Sequence, residues 1–286
     1  MQNLLELTGV CKRYPSFSLR DVSFTVPAGS IMALIGENGA GKTTTIKLIL
    51  NEIRRDAGSV RIFGRDNVRD ETAVKEEIGV VFDESYFHSG FSAEDVGKIL
   101  KGVYKSWDGA LYRRYLDRFS LPAGKAIKDY SRGMKMKLSI ASALAHHPRL
   151  LILDEATSGL DPVVRSEVLD LLLDFIQDEE RGVLFSSHIT SDLERIADYV
   201  TFLHGGQVVF SRQKDELLDR TGILKCGASQ FGSLDRSDVL RVRRGSVECE
   251  ALVADRRAAA RKYPGLVVDP ATLDEIMVLT IKGEKP

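Results

Sequence analysis

Two hydrophobic patterns alternate along the chain and predict the order of its secondary structure. Runs that are apolar at nearly every position indicate strands buried on both faces of a parallel sheet. These runs lie at 30–35, 150–153 and 183–187. Further strands are predicted at 4–14, 22–26, 59–63 and 78–82, and a hairpin at 199–203 and 207–210, joined through Gly205-Gly206. From 92 to 147 the pattern becomes helical, and Ser92-Ala93-Glu94-Asp95 is typical of a helix start.

After about residue 212 the character of the chain changes. The remaining stretch contains short strand-like pieces and a final helix, at 239–242, 247–253 and 272–281. We therefore predict an α/β domain at 1–212 with a helical subdomain at about 84–148, and a small α+β accessory domain at 213–286.

A phosphate-binding loop is predicted where the first buried strand ends. The residues there fit the pattern G-x-x-x-x-G-K-[ST]; they are Gly36, Glu37, Asn38, Gly39, Ala40, Gly41, Lys42, Thr43 and Thr44. Glycines let successive backbone N–H groups turn towards a phosphate chain, and the following helix adds the positive end of its dipole. In such a loop Lys42 contacts the β- and γ-phosphates, and the Thr43 hydroxyl ligates Mg²⁺. The alternative, a glycine-rich turn that binds nothing, is disfavoured because strand, loop and helix follow in order.

Carboxylates follow the second buried strand. Asp154 and Glu155 come directly after 150–153, at the strand end where ligands bind in α/β sheets. We predict that Asp154 holds Mg²⁺ and that Glu155 polarises the water that attacks the γ-phosphate. His188 ends the third buried run and is predicted to hydrogen-bond the γ-phosphate.

Two more helix starts carry residues of interest. The segment Tyr130-Ser131-Arg132-Gly133-Met134 opens a helix, and Ser-x-Gly at a helix start suits either phosphate binding or simple N-capping. Asp161 is predicted to cap a helix that has Pro162 in its first turn.

Composition narrows the class of protein. The 286 residues include 40 basic and 41 acidic side chains, a formal net charge of −1, so charge gives no case for a nucleic-acid partner. The sequence contains no uncharged apolar run as long as a membrane span, and its first residues lack the plan of a signal peptide. Cys11, Cys226 and Cys249 are far apart and odd in number, which indicates reduced thiols.

Taken in order, the phosphate loop, the Ser-x-Gly helix start, the Asp-Glu strand end, Ser158-Gly159-Leu160-Asp161 and His188 resemble the ATP-binding-cassette (ABC) family over residues 1–212. The resemblance implies a P-loop NTPase fold of the ABC type, with an antiparallel β subdomain and a helical subdomain. It also implies that Ser131 and Gly133 contact the γ-phosphate of ATP bound to an opposite protomer, and that Asp161 lies in a loop that communicates across the dimer. Tyr14 matches the aromatic residue that stacks on adenine, although a core tyrosine is the alternative.

Three positions depart from the family pattern. The family usually has Leu-Ser-Gly-Gly-Gln where this chain has Tyr-Ser-Arg-Gly-Met, so Arg132 replaces a small residue. Asp83 stands where the family has Gln; we predict that it lies near Mg²⁺, and the alternative is that it faces a membrane partner. Ala156 stands where Pro usually follows the catalytic Glu. The segment 130–137, Tyr-Ser-Arg-Gly-Met-Lys-Met-Lys, and the stretch 271–277 resemble a bacterial subset that serves ABC-2 exporters.

The expected function is that of an ATP-hydrolysing subunit, with ATP and Mg²⁺ as cofactors, that powers a separate integral membrane permease. The resemblance implies a dimer, either a homodimer or a heterodimer with another ABC ATPase. It also implies a cytoplasmic location, peripheral on the inner face of the membrane. The alternative is a soluble ATPase of the same superfamily that acts in cluster assembly, DNA repair or translation. A nucleotide-binding module without turnover is disfavoured by Glu155 and His188.

Overall fold

A computed structural model describes residues 2–245 and 248–286, which form two compact units, Met1–Ser211 and Arg212–Pro286. The strands of the first unit are β1 (Asn3–Arg13), β2 (Ser18–Pro27), β3 (Ser30–Ile35), β4 (Ala57–Ile62), β5 (Arg65–Asp66), β6 (Ile78–Val81), β7 (Leu150–Asp154), β8 (Gly182–Ser186), β9 (Tyr199–His204) and β10 (Gln207–Gln213), the last of which runs past the boundary. Its helices are α1 (Lys42–Ile49), α2 (Glu71–Glu76), α3 (Ala93–Val103), α4 (Gly109–Arg118), α5 (Arg132–Leu144), α6 (Pro162–Phe175) and α7 (Thr190–Ile196).

A six-stranded sheet forms the centre of the first unit. Its strand order is β10-β9-β3-β8-β7-β6, and the pairs from β9 to β6 are parallel. Every residue of β3, β7 and β8 is buried, which explains why these three strands are apolar runs in the sequence. Hairpin partners β9 and β10 are neighbours at one edge, as predicted.

An antiparallel sheet packs on this centre. Its order is β2-β1-β4-β5. Buried residues of this sheet, such as Leu5 and Val60, share one hydrophobic cluster with Leu34 of β3, Ile46 of α1 and Leu184 of β8. The ABC-type arrangement of a parallel sheet with an antiparallel β subdomain is therefore confirmed.

The helical subdomain has a hydrophobic cluster of its own, built by α3, α4 and α5 around residues such as Tyr112 and Leu138. Its predicted first helix begins after Ser92, and Ser92 and Asp95 form a reciprocal capping box. Four large apolar side chains of this region are exposed, Tyr86, Phe91, Ile99 and Val103. Among the described residues no helix is both long and apolar enough to cross a membrane.

The second unit is an antiparallel four-stranded sheet with helices. Its strands are β11 (Gly222–Gly227), β12 (Val239–Arg244), β13 (Glu248–Val253) and β14 (Val267–Pro270), and the order is β12-β13-β11-β14. Its helices are α8 (Lys214–Arg220), α9 (Ala228–Phe231), α10 (Arg256–Lys262) and α11 (Leu273–Lys282). The predicted strand pieces at 239–242 and 247–253 correspond to β12 and β13, although Val247 lies outside the described residues. The predicted last helix is α11, for which Thr272 is the N-cap.

We expect a chain that ends at Gln213, and so keeps all of β10, to fold by itself. The chain divides into compact units at Ser211 and Arg212. Two hydrophobic clusters of the first unit draw on residues between 5 and 208, and one cluster of the second unit draws on residues between 224 and 268. Circular dichroism should show α/β content and one cooperative thermal transition, with the full chain as reference. An aggregated product, or a signal without a transition, would contradict this prediction.

Candidate functional site

The predicted site residues follow four neighbouring strands of the central sheet. The phosphate loop follows β3, and His188 follows β8. Asp154 ends β7 and Glu155 follows it, and Asp83 follows β6. Because β3, β8, β7 and β6 are parallel neighbours, all four chain segments leave the sheet at the same edge.

Glycines shape the phosphate loop by allowing close approach. A Cβ atom at Gly36 would lie 2.4 Å from the carbonyl oxygen of Leu203, and one at Gly41 would lie 2.5 Å from a methyl group of Leu19. Gly41 also has φ of 113° and is the N-cap of α1 without a side-chain cap. The first N–H groups of α1 therefore remain available to an anion.

The side chain of Lys42 is buried within the loop and points towards β7. Its Nζ donates to the Gly36 carbonyl oxygen at 2.7 Å and lies 3.3 Å from Oε1 of Glu155. The ammonium group thus contacts both the phosphate loop after β3 and the carboxylate of Glu155, which follows β7 two strands away.

Glu155 is fixed from several directions. Its φ of 53° is left-handed, and its N–H donates to the Ser186 carbonyl oxygen at 2.9 Å. Its Oε2 lies 2.5 Å from Nδ1 of His188, so the carboxylate stands between the imidazole of His188 and the ammonium of Lys42. A side chain held in this way can accept a proton at a defined place.

Asp154 lies deeper: the residue is 5% exposed, whereas the side chain of Glu155 is 18% exposed. Its Oδ1 has no hydrogen-bond partner within the described residues. Burial raises the pKa of the Asp154 carboxyl, the nearby carboxylates of Glu155 and Asp83 raise it further, and the Thr43 hydroxyl opposes the shift. An unpartnered buried carboxylate oxygen beside a threonine hydroxyl is a donor set that suits a divalent cation.

A cavity of about 600 Å³, the main cavity, opens over these groups. It is lined by Phe17, Glu37, Asn38, Gly39, Gly41, Lys42, Thr43, Thr44, Asp83, Glu155, Ser158 and His188. A neighbouring cavity of about 420 Å³ shares Thr43, Asp83 and Glu155 with it and adds Asp154 to the lining. The structure therefore brings the predicted phosphate-loop, carboxylate and histidine side chains together, with Gly36 and Ala40 buried in the loop itself.

Other predicted residues do not line either cavity. Ser131 Oγ accepts a hydrogen bond from the Met134 N–H and so caps α5, while Asp161 accepts from the N–H groups at the start of α6. Gly133 faces Val164 of α6. These three residues lie together at the starts of two helices.

Tyr14 is 40% exposed, and its ring lies 5.6 Å from the ammonium group of Lys12. The aromatic side chain that lines the main cavity is instead Phe17, three residues further on. A ring atom of Phe17 lies 3.0 Å from the position of a Cβ on Gly41. The sequence offered a signal for Phe17, since it is the second aromatic residue in the same turn.

A second group that the sequence did not indicate is His204, at the end of β9. Its Nδ1 lies 2.9 Å from Oε1 of Glu37 in the phosphate loop. Since β9 pairs with β3, the end of β9 lies beside the start of the loop. Only the strand order, which the sequence does not state, identifies this neighbour.

The fold and the site define a P-loop nucleotide-binding protein. Residues 19–158 match the family model described as ABC transporter. The chain is 32% identical over 199 residues to the ABC transporter ATP-binding protein YtrB of Bacillus subtilis (strain 168), covering 70% of this chain and 68% of the relative. It is 31% identical over 230 residues to the bacitracin transport ATP-binding protein BcrA of Bacillus licheniformis, covering 77% of this chain and 73% of the relative.

A solved structure, that of an ATP-binding subunit of an ABC transporter, matches with a TM-score of 0.69 and 29% identity, over 80% of this chain and 93% of that one. The chain belongs to the ABC transporter family of ATP-binding proteins. Its activity is that of an ATPase coupled to transport.

We expect Gly36→Ala to weaken ATP binding by about tenfold or more, or about 1.4 kcal/mol, because the added methyl group must displace either the loop or the Leu203 carbonyl. Gly102→Ala is the matched control, since a Cβ there meets nothing within 4 Å and α3 gains helix propensity. Isothermal titration with ATP measures both variants. Equal affinities would show that the close approach at Gly36 does not shape the loop.

Proposed function

We propose that this chain is the ATP-hydrolysing subunit that drives a separate integral membrane permease of the ABC-2 exporter type. The observation that carries the proposal is the placement of Glu155 between Lys42 and His188 in the wall of the main cavity. Family membership supports the ATPase, and the relative named for bacitracin transport supports a transport role. The exporter type rests on the resemblance of the segments 130–137 and 271–277 to the subset that serves ABC-2 exporters.

The phosphate loop is proposed to hold the triphosphate of ATP with its N–H groups and Lys42. In the described structure the ammonium of Lys42 has Glu155 as its acidic neighbour. A triphosphate carries more charge than one carboxylate and draws Lys42 away from it. Glu155 then keeps only His188 as partner and is free to accept a proton from the attacking water.

Thr43 and Asp154, with Asp83 at the rim, would hold Mg²⁺. The fit rests on the unpartnered Oδ1 of Asp154 and on the cavity that Thr43, Asp83 and Asp154 line together. Magnesium, when bound, neutralises the charge on the β- and γ-phosphates. His188 is proposed to orient Glu155 and to hydrogen-bond the γ-phosphate.

For the base, both aromatic residues of the β1–β2 turn are candidates. Tyr14, exposed at the start of the turn, offers a face for adenine, and Phe17 lines the main cavity beside Gly41 of the phosphate loop. We propose that Tyr14 stacks on the base and that Phe17 packs against the part of the nucleotide nearer the loop.

The site is proposed to be shared between two protomers. Ser131 and Gly133 stand at a helix start suited to phosphate, yet neither lines the cavity of its own chain. A head-to-tail pair, either with a second copy or with another ABC ATPase, would bring this helix start over the open side of the partner's cavity. Asp161, at the neighbouring helix start, would lie at the same interface.

The permease is proposed to bind the helical subdomain, which includes the described residues 84–148. The support for this proposal is that Tyr86, Phe91, Ile99 and Val103 expose apolar surface there, as surfaces that bind another protein often do. Such a complex would place the chain in the cytoplasm, on the inner face of the membrane.

Replacement of Glu155 by Gln tests the catalytic assignment. Glu155→Gln is expected to bind ATP but to hydrolyse it about 10²-fold or more slowly, because a general base contributes about 10²–10⁴-fold. Gel filtration should then show an ATP-bound dimer. Glu180→Gln, which changes an exposed acid later in the chain, is the control. Near-normal turnover in Glu155→Gln would contradict the role of Glu155 as the general base.

The same variant distinguishes the proposed function, an ATPase that drives a membrane permease, from the alternative of a soluble ATPase. Tagged Glu155→Gln, purified from native membranes with ATP, should carry a multi-span membrane protein that mass spectrometry identifies. Recovery with a soluble assembly or repair partner, and without a membrane protein, would favour the alternative function.

Asp83→Gln tests the metal site. We expect this variant to need about threefold to tenfold more Mg²⁺ for half-maximal ATPase activity, since a nearby opposite charge is worth about 1 kcal/mol in a wet site. Glu84→Gln, the adjacent exposed carboxylate, is the control. If the Mg²⁺ titrations of Asp83→Gln and the parent chain superimpose, Asp83 is not at the metal.

A further inference from the structure

The side chain of Arg132 packs on a glycine of the loop that borders the main cavity. A Cβ atom at Gly159 would lie 2.6 Å from Nη1, 2.8 Å from Cζ and 3.3 Å from Nη2 of Arg132. Three atoms of the guanidinium group are thus close to the same point, so the group covers the Cα of Gly159. Gly159 also has φ of 66°, a conformation that favours glycine.

The start of α5 touches the start of α6 at a second point. A Cβ atom at Gly133 would lie 3.3 Å from a methyl group of Val164. One turn further along, Lys137 of α5 forms an ion pair with Glu167 of α6. The contact of Arg132 with Gly159 is therefore one end of a continuous junction between the two helices.

The loop 158–161, which we call the junction loop, reaches from this contact to the catalytic carboxylate. Ser158 lines the main cavity, and its N–H donates to the carbonyl oxygen of Glu155 at 3.0 Å. At the other end of the loop, Asp161 caps α6. Gly159, under the guanidinium, is the residue next to Ser158.

We propose that Arg132 is a positioning residue that holds the junction loop against α5 and thereby fixes Ser158 and Glu155 for hydrolysis. This inference rests on the proposed function in one respect, that Glu155 is the base. The same helix start carries Ser131, which is proposed to serve the partner's nucleotide. Arg132 therefore lies between two sites. One is the start of α5, which is proposed to contact the nucleotide of the partner protomer, and the other is the pair Ser158 and Glu155 in the cavity of its own chain.

The plane of the guanidinium group, and not its charge, explains the contact. Within residues 2–245 and 248–286 the Arg132 guanidinium has no hydrogen-bond or ion-pair partner. A flat delocalised group packs on a backbone where a compact, strongly hydrated ammonium does not. Lysine should therefore fail to replace Arg132 even though it keeps the charge.

The first test compares Arg132→Lys and Arg132→Gly with Arg61→Gln, an exposed arginine of β4. Both Arg132 variants should lower kcat about threefold to tenfold, because small misplacements of a catalytic group are costly, with the Kd for ATP changed less than twofold. Arg61→Gln should match the parent. A parent-like kcat in Arg132→Gly, or full activity in Arg132→Lys, overturns the proposal.

The second test probes the contact itself by a double-mutant cycle. Gly159→Ala adds a methyl group that meets the guanidinium, so it should lower kcat strongly beside Arg132 and much less beside Arg132→Gly. The backbone strain of alanine at this φ is the same in both backgrounds and cancels. Additive effects of the two substitutions overturn the proposal.

A failure of the proposed function gives a different result. If Glu155→Gln hydrolyses ATP normally, the assignment of the base fails, whatever the Arg132 variants do. If Glu155→Gln traps the ATP-bound dimer while the cycle at Arg132 and Gly159 is additive, only the positioning role fails.

Discussion

The contact between Lys42 and Glu155 depends on the register of the central sheet. Lys42 follows β3 and Glu155 follows β7, two strands away, with β8 and its His188 between them. Strands two places apart are separated by about 9–10 Å, a span that a lysine from the loop and a glutamate at the strand end close to 3.3 Å. A one-residue slip of β7 against β8 would turn each side chain of β7, Asp154 included, to the other face of the sheet. It would also move Glu155 away from Lys42 and His188. The register of the buried apolar strands therefore determines which side chains meet at the edge of the sheet where the strands end.

The turn between β9 and β10 is hydrogen-bonded to the phosphate loop. The Gly206 N–H donates to the carbonyl oxygen of Ala40, and the Gly206 carbonyl oxygen accepts from the Arg20 N–H of β2. A Cβ atom at Gly206 would lie 1.9 Å from the Ser18 carbonyl oxygen, so only glycine fits between the hairpin and β2. Together with the approach of Leu203 to Gly36, these contacts give the loop a fixed backbone before any nucleotide binds. A loop held in this way loses less conformational entropy on binding.

Much of the fold was predictable from the sequence because the local patterns, apolar runs and capping residues, match the strands and helix starts that the structure has at those positions. The apolar runs became β3, β7 and β8, Ser92 and Asp161 became helix caps, and the loop after β3 has the glycines that its close approaches require. By contrast β11 and β14 were missed, since Gly222–Gly227 is short with glycine at both ends and Val267–Pro270 ends in proline. His204 was missed for another reason: its place at the loop follows from the pairing of β9 with β3, which one sequence does not reveal. Phe17 was missed because Tyr14, in the same turn, matched the family pattern.

The hydrogen bond that Ser131 makes in the structure is compatible with the role proposed for it across a dimer. Its Oγ accepts from the Met134 N–H, which uses one lone pair of the hydroxyl oxygen. The O–H hydrogen remains to donate to a phosphate oxygen, so N-capping and phosphate binding do not compete. The capping bond in fact fixes the rotamer of Ser131, because the oxygen must face the first turn of α5. A hydroxyl oriented by its own helix in this way is ready for a phosphate that a partner brings to the same helix start.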